Sequence, residues 1–213
     1  MIQGAARYTN SMKPRLIIEQ KITAFVNKYM VYSTSDNGTK SDLLALAQQK
    51  RIALKEKVTF YSDESKSSVS FSFRAEKVLD VHGRYFVEGQ SGEQVGVFRK
   101  VFGQSLAVST WRIMDAAGND VLEIKESNVA LAIARRYGGW IPIVGDLIEI
   151  LTLFLKYHFV FVDIRNGEVV GKYQKTTLFR DHYTLSCTDE VWTTNDWRTL
   201  AAMGVALDAL QSR

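Results

Sequence analysis

The residues in this chain that could bind a charged ligand are lysines and arginines that occur in small groups. Arginine offers a planar fork of donors and lysine a point charge, and both suit phosphate. If the fold gathers these groups at one rim they predict a phosphate site, and if it disperses them they are ordinary solvated charges. The candidates are Lys50, Arg51, Lys55 and Lys57; Arg99 and Lys100; Arg135 and Arg136; and Lys172, Lys175 and Arg180.

The sequence does not predict a catalytic or metal site. Residues 103–107, G-Q-S-L-A, approximate a nucleophile elbow, but a strand-like run follows where that motif needs a helix. Cys187 follows His182 by five residues without an orienting partner nearby in the sequence, so a structural role is favoured for it. Residues 115–120 lack the residue order of a calcium loop. We therefore expect a binding protein that uses neither metal nor cofactor, rather than an enzyme.

Composition favours one large folded domain. The chain has 213 residues, of which 46% are apolar, with two prolines, one cysteine and a formal net charge of +4. Such a chain suits a single all-β domain, here predicted over residues 15–213 after a polar arm at 1–14. The single cysteine and the absence of an apolar leader near Met1 predict a cytoplasmic location. The modest positive charge permits weak attraction to anionic lipid.

Two near-identical five-residue motifs, called the repeated words below, indicate the fold class. G-E-Q-V-G occupies residues 92–96 and G-E-V-V-G residues 167–171, and each is followed by a lysine, Lys100 or Lys175, eight residues from its start. A looser copy, A-G-N-D-V-L-E-I-K, occupies residues 117–125. Such a word between apolar runs is typical of a β-hairpin whose glycine takes the positive-φ turn position. Its repetition predicts a mainly antiparallel sheet.

The remaining pattern predicts many strands and one buried helix. Val69, Phe71 and Phe73 alternate with serines, as in a strand with one buried face. Residues 196–210 are apolar on nearly every side, and a helix of about 22 Å is too short to span a bilayer, so we expect it to be buried. Further strands are predicted at residues 17–22, 28–33, 43–48, 52–61, 78–81, 85–88, 95–99, 106–114, 121–125, 158–165, 169–176 and 178–187.

The number of predicted strands and the width of the predicted helix together indicate a barrel. About twelve strands spaced about 4.8 Å apart and tilted about 40° close into a barrel with a bore of about 14 Å. A helix about 10–12 Å wide would plug that bore. The predicted fold is therefore mainly β, a closed antiparallel barrel of about 12 strands around a buried hydrophobic C-terminal helix. Small residues would keep this helix thin: Ala201, Ala202, Gly204, Ala206 and Ala209.

A second apolar segment has no place in that core. It begins at Ile141 and ends at Leu155, after a predicted short helix at residues 128–137. It could cover an open end of the barrel, or present an apolar patch to a partner, a second subunit or a membrane. Asp146 and Glu149 within it favour a helix and count against insertion into anionic lipid.

Several stretches together resemble the LURP-one-related proteins, which are grouped with tubby C-terminal domains and phospholipid scramblases. They are Q-K-I-T-A-F-V-N-K-Y-M-V-Y at residues 20–32, the block at 92–125 containing V-F-R-K-V-F-G-Q-S-L-A-V-S-T-W, and the ending A-L-D-A-L-Q-S-R. The resemblance covers roughly residues 17–213 and implies a closed barrel around a hydrophobic C-terminal helix. Tubby domains bind phosphatidylinositol phosphates and scramblases act on phospholipids.

Two functions follow as expectations. The first is a non-enzymatic module, cytoplasmic or peripheral at a membrane, that recognises anionic phospholipid or phosphoinositide head groups. The alternative is an interaction or scaffold protein that self-associates as a homodimer through residues 141–155. Nucleic-acid binding is not favoured, because it requires aromatics interleaved with the basic groups on one face.

Overall fold

Antiparallel strands make up most of the chain in the computed structural model, which describes residues 11–22, 26–50, 57–76, 83–101, 110–126, 158–177 and 181–211. Two helices, α1 (Asp189–Thr194) and α2 (Trp197–Gln211), follow the last strand. The strands are β1 Lys13–Ile22, β2 Val26–Thr34, β3 Lys40–Lys50, β4 Lys57–Tyr61, β5 Val69–Ala75, β6 Arg84–Gly89, β7 Gln94–Val101, β8 Thr110–Met114, β9 Asp120–Glu126, β10 His158–Asp163, β11 Val169–Lys175 and β12 Asp181–Cys187.

The twelve described strands close into one barrel. Each strand pairs with the next along the chain, and β1 pairs with both β2 and β12. Closure leaves no unpaired strand edge, which a sheet of this size would otherwise expose to aggregation. The predicted fold class and the approximate number of strands are confirmed.

Helix α2 fills the bore, as predicted. The side chains from Leu200 to Leu207 are at most 1% exposed, apart from the glycine among them. At Gly204 a Cβ atom would lie 2.6 Å from Ile18 Cδ1, so this glycine lets the wall approach the helix closely. The helix begins where Asp196 Oδ1 accepts a hydrogen bond from the backbone N–H of Arg198, at 2.8 Å. Aromatic side chains line the facing wall: Phe60, Phe71, Phe73, Phe98 and Trp111.

The structure adds one helix that was not predicted and differs from two local expectations. Helix α1 was not predicted, although Thr188 followed by two acidic residues is an N-cap pattern, and its hydroxyl accepts from the Val191 N–H. Val69 is 40% exposed rather than buried, because it lies where β5 leaves a turn and the register shifts. Strand β1 begins at Lys13, inside the predicted arm, because that residue already pairs with Cys187 of β12. The predicted strand at 78–81, the helix at 128–137 and the segment at 141–155 lie outside the described residues.

The topology gives the barrel two distinct ends. At the first end the chain passes from β1 to β2, β3 to β4, β5 to β6, β7 to β8, β9 to β10 and β11 to β12. At the second end lie the other five hairpin turns, helix α1 and the beginning of α2. Helix α2 therefore runs through the bore from the second end toward the first.

Candidate functional site

Like charges face each other on the outer wall at the first end. Lys21 of β1 lies directly opposite Lys28 of β2, and Lys57 of β4 lies directly opposite Arg74 of β5. Arg74 Nε donates to Glu88 at 2.9 Å, whereas the three lysines form no ion pair with any residue that the structure describes. Directly opposed like charges destabilise a sheet, so this arrangement favours an anion between them. We call these four residues the basic rim.

The predicted phosphate ligands divide between this rim, the barrel walls and undescribed positions. Lys57 belongs to the basic rim. Lys50 stands opposite Val26 at the same end, but its side chain lies outside the described part. Arg51, Lys55, Arg135, Arg136 and Arg180 also lie outside the described residues. The sequence did not single out Lys21, Lys28 or Arg74, because only strand register brings them together.

Lys100 and Lys175, the lysines that follow the repeated words, lie on the inner wall. Lys100 stands opposite Trp111, with its ammonium 5.6 Å from the ring centroid, and Lys175 stands opposite Tyr183. Lys175 Nζ also lies 2.5 Å from Asp181 Oδ1. These two lysines therefore face the interior of the first end and do not join the outer basic rim.

Arg99 and Lys172 lie on the outer wall and also stand apart from the rim. Arg99 donates to both oxygens of Asp120, at 3.0 and 2.5 Å, and Arg112 shares that carboxylate at 2.8 Å. Hydrogen bonds from Arg99 and then Arg112 lower the pKa of Asp120, against the effect of burial. Arg99 thus belongs to a structural ion network. Lys172 is half-buried between β10 and β12, opposite Val160 and Ser186.

A cleft of about 500 Å³ opens at the second end, between the hairpin turns and α1. Its lining includes Asp115, Asp163, Glu190 and Asp196, with Arg165 as the one basic side chain among the lining residues. None of the predicted phosphate ligands lines it. The cleft is therefore acidic and does not suit an anionic ligand.

Neighbouring donors lower the pKa of three cleft carboxylates, those of Asp115, Asp163 and Asp196. Arg165 lowers the pKa of Asp163, and the backbone N–H of Asn119 lowers that of Asp115. At Asp196 burial raises the pKa, but hydrogen bonds from Arg198 outweigh it, so the pKa is lowered.

A buried polar cluster surrounds the end of α2 inside the first end. Tyr29 and Tyr183 each donate to an oxygen of Asp208 at 2.9 Å. Burial raises the pKa of Asp208, against those hydrogen bonds. Tyr173 stacks on Tyr183 at 5.0 Å, and its buried hydroxyl has no hydrogen-bond partner in the described part. Sequence reasoning missed this cluster, although Asp208 is a lone carboxylate within an apolar helix.

Other chemical possibilities find little support among the described residues. Cys187 is 1% exposed, and burial raises the pKa of its thiol to about 11. The described residues contain no group of three or more side chains able to hold a metal ion. Within the same part of the chain, no helix is long and apolar enough to cross a membrane.

Comparison with known proteins identifies a family whose model matches most of this barrel. The family model described as LURP-one-related matches residues 43–208, from β3 into α2. No curated protein matches the chain.

Proposed function

Because this chain belongs to the LURP-one-related family, we propose that it is a non-enzymatic binding barrel that docks on a membrane containing anionic phospholipids. The basic rim makes the contact with the lipid head groups. The observation that carries the proposal is the pairing of Lys21 with Lys28 and of Lys57 with Arg74 on the same outer wall at the same end.

A bound anion stabilises two lysines that lie opposite each other more than it stabilises a surface lysine that already forms an ion pair with a carboxylate. Lys21 and Lys57 are exposed and Lys28 is half-buried, so a phosphate can reach all three. A phosphate between Lys21 and Lys28 would replace their repulsion by two attractions. Lysine presents a point charge, which suits head groups of differing shape.

The distribution of charge along the barrel orients it toward an anionic surface. In the described parts of the first end, cations outnumber carboxylates: Lys21, Lys28, Lys57, Arg74, Arg84, Lys100, Lys125 and Lys175 against Glu76, Glu126, Asp181 and Asp208. At the second end the described carboxylates Asp36, Asp63, Glu64, Glu93, Asp115, Asp163, Glu168, Asp189, Glu190 and Asp196 outnumber the cations Lys13, Arg15, Lys40, Lys66, Arg165 and Arg198. An anionic membrane attracts the first end and repels the second.

Vesicle co-sedimentation tests this proposal with a matched control. The variant Lys21→Glu/Lys28→Glu/Lys57→Glu removes the lysines of the rim. Each lysine near an anionic surface contributes about 1 kcal/mol, so loss of three predicts at least about 100-fold weaker binding to vesicles containing phosphatidylserine. The control Lys13→Glu/Lys40→Glu/Lys66→Glu changes net charge equally but at the second end, and we expect it to bind nearly as wild type.

Two results would overturn the proposal. One is equal loss of binding in both triple variants, which would show that net charge alone matters. The other is wild-type binding that is absent, or that does not weaken between about 50 and 500 mM salt, since contacts at an exposed rim are screened. Self-association through residues 141–155 stays a separate prediction, since that segment lies outside the described part.

A further inference from the structure

The cleft at the second end has the size and lining of a small-molecule site. Its volume of about 500 Å³ lies within the roughly 300–1,000 Å³ typical of ligand pockets. Apolar side chains from three strands and α1 form its floor: Ile113, Leu122, Val170 and Val191.

The inner glycine of the first repeated word shapes this space. A Cβ atom on Gly96 would lie 2.0 Å from Thr199 Oγ1, so only glycine lets β7 and α2 meet beneath the cleft. Thr199 lines the cleft and is 2% exposed, and its hydroxyl donates only a long 3.4 Å bond to the Val95 carbonyl.

Fixed carboxylates from separate elements surround the opening. Asp115 belongs to the β8–β9 turn, Asp163 ends β10, Glu190 lies in α1 and Asp196 precedes α2. Asp163 is only 5% exposed. Because hydrogen bonds already hold these groups, a ligand would not have to order them on binding.

Arg165 shows that the carboxylates at the cleft opening can bind a cationic group. Its guanidinium lies 2.6 Å from Asp163 Oδ2 and 2.8 Å from Glu190 Oε1, joining the β10–β11 turn to α1. The side chain is 70% exposed, so this bridge is held at the surface and can be displaced. The cleft thus already holds a planar cation between carboxylates of two elements.

We propose that the cleft is a binding site for a small organic cation. The ammonium or guanidinium group of the ligand lies among the carboxylates at the cleft opening, and its apolar body packs on the floor. The site is at the opposite end from the basic rim, so it does not depend on the proposed membrane contact. Its negative potential disfavours anionic molecules of the same shape.

Three molecules that share one body and differ in charge test the inference. Phenethylammonium, phenethyl alcohol and 3-phenylpropionate are titrated into the ¹⁵N-labelled full chain at about 50 mM salt, where screening is weak. We expect the cation to shift the amides of Gly96, Ile113, Val170 and Val191, and to bind about tenfold more tightly than the alcohol. We expect the carboxylate to bind least. Equal binding of cation and alcohol, or shifts located elsewhere, would overturn the proposal.

Two variants and a control separate the cleft from general surface charge. Glu190→Gln removes one rim carboxylate from an exposed helix position and should weaken phenethylammonium binding about threefold or more. Thr194→Trp, an exposed lining position, should fill the mouth and abolish binding without altering the core. Glu64→Gln, in the β4–β5 turn at the same end, should leave binding unchanged. Undiminished binding in Thr194→Trp, or equal loss in Glu190→Gln and Glu64→Gln, would refute the site.

Discussion

Replacing either glycine of a repeated word by alanine should destabilise the protein, but for a different physical reason at each of the two positions. Gly92 and Gly167 have φ of +82° and +75° with no atom within 4 Å of a built Cβ, so they are needed only for conformation. Gly96 has ordinary φ, but a Cβ there would meet three side-chain atoms of Thr199 at 2.0 to 2.9 Å. Gly171 is intermediate, with its nearest contacts at 3.2 Å.

These geometries set the expected losses of stability. A left-handed alanine costs about 1–2 kcal/mol, and the stiffer unfolded chain returns about 0.4–1, so Gly92→Ala and Gly167→Ala should each lose about 1 kcal/mol. Overpacking costs about 1–3 kcal/mol, and three close contacts place Gly96→Ala at about 3. Asparagine tolerates the left-handed region, so Gly92→Asn should lose less than Gly92→Ala.

Urea unfolding followed by tryptophan fluorescence measures these losses, because Trp111 is fully buried in the barrel. The matched test is the double variant Gly96→Ala/Thr199→Ala, which removes the two closest clashing atoms. The free energy of unfolding that the glycine substitution removes is measured twice, in wild type and in the Thr199→Ala background. We expect it to be about 1–2 kcal/mol smaller in the Thr199→Ala background. The reasoning is refuted if Gly96→Ala is within about 0.5 kcal/mol of wild type, or if Thr199→Ala rescues nothing.

Two further predictions concern buried titratable groups. Burial raises the pKa of Asp208 above its ordinary 3.8, so its ionisation weakens the fold as pH rises past that value. Asp208→Asn should therefore gain stability relative to wild type between about pH 4 and pH 7 in urea unfolding, and a difference independent of pH would contradict this. The thiol of Cys187, with its pKa raised to about 11, should resist iodoacetamide at about pH 8 in the folded protein and react in urea. Rapid labelling of the native protein would show that the thiol is accessible.

Charge placement was the hardest feature to predict from the sequence. The basic groups were found as neighbours along the chain, yet Arg99 and Lys100 point to opposite faces of β7, because successive side chains of a strand alternate. The rim pairs are separated in sequence and meet through register: Lys21 with Lys28, and Lys57 with Arg74. A shift of one residue would turn each of these side chains to the other face.

The sequence alone determined the architecture. Turn glycines, alternating apolar residues and one helix apolar on nearly all sides are local patterns, and their number and size required a closed barrel with a helical plug. The relative positions of the charged and polar side chains depend on the tertiary structure. It placed Lys100 and Lys175 inside the wall, assembled the cleft around Gly96 and α1, and put Asp208 beside two tyrosines. The physical reason is range: a hairpin is specified within about ten residues, whereas these sites depend on closure and register between strands distant in the chain.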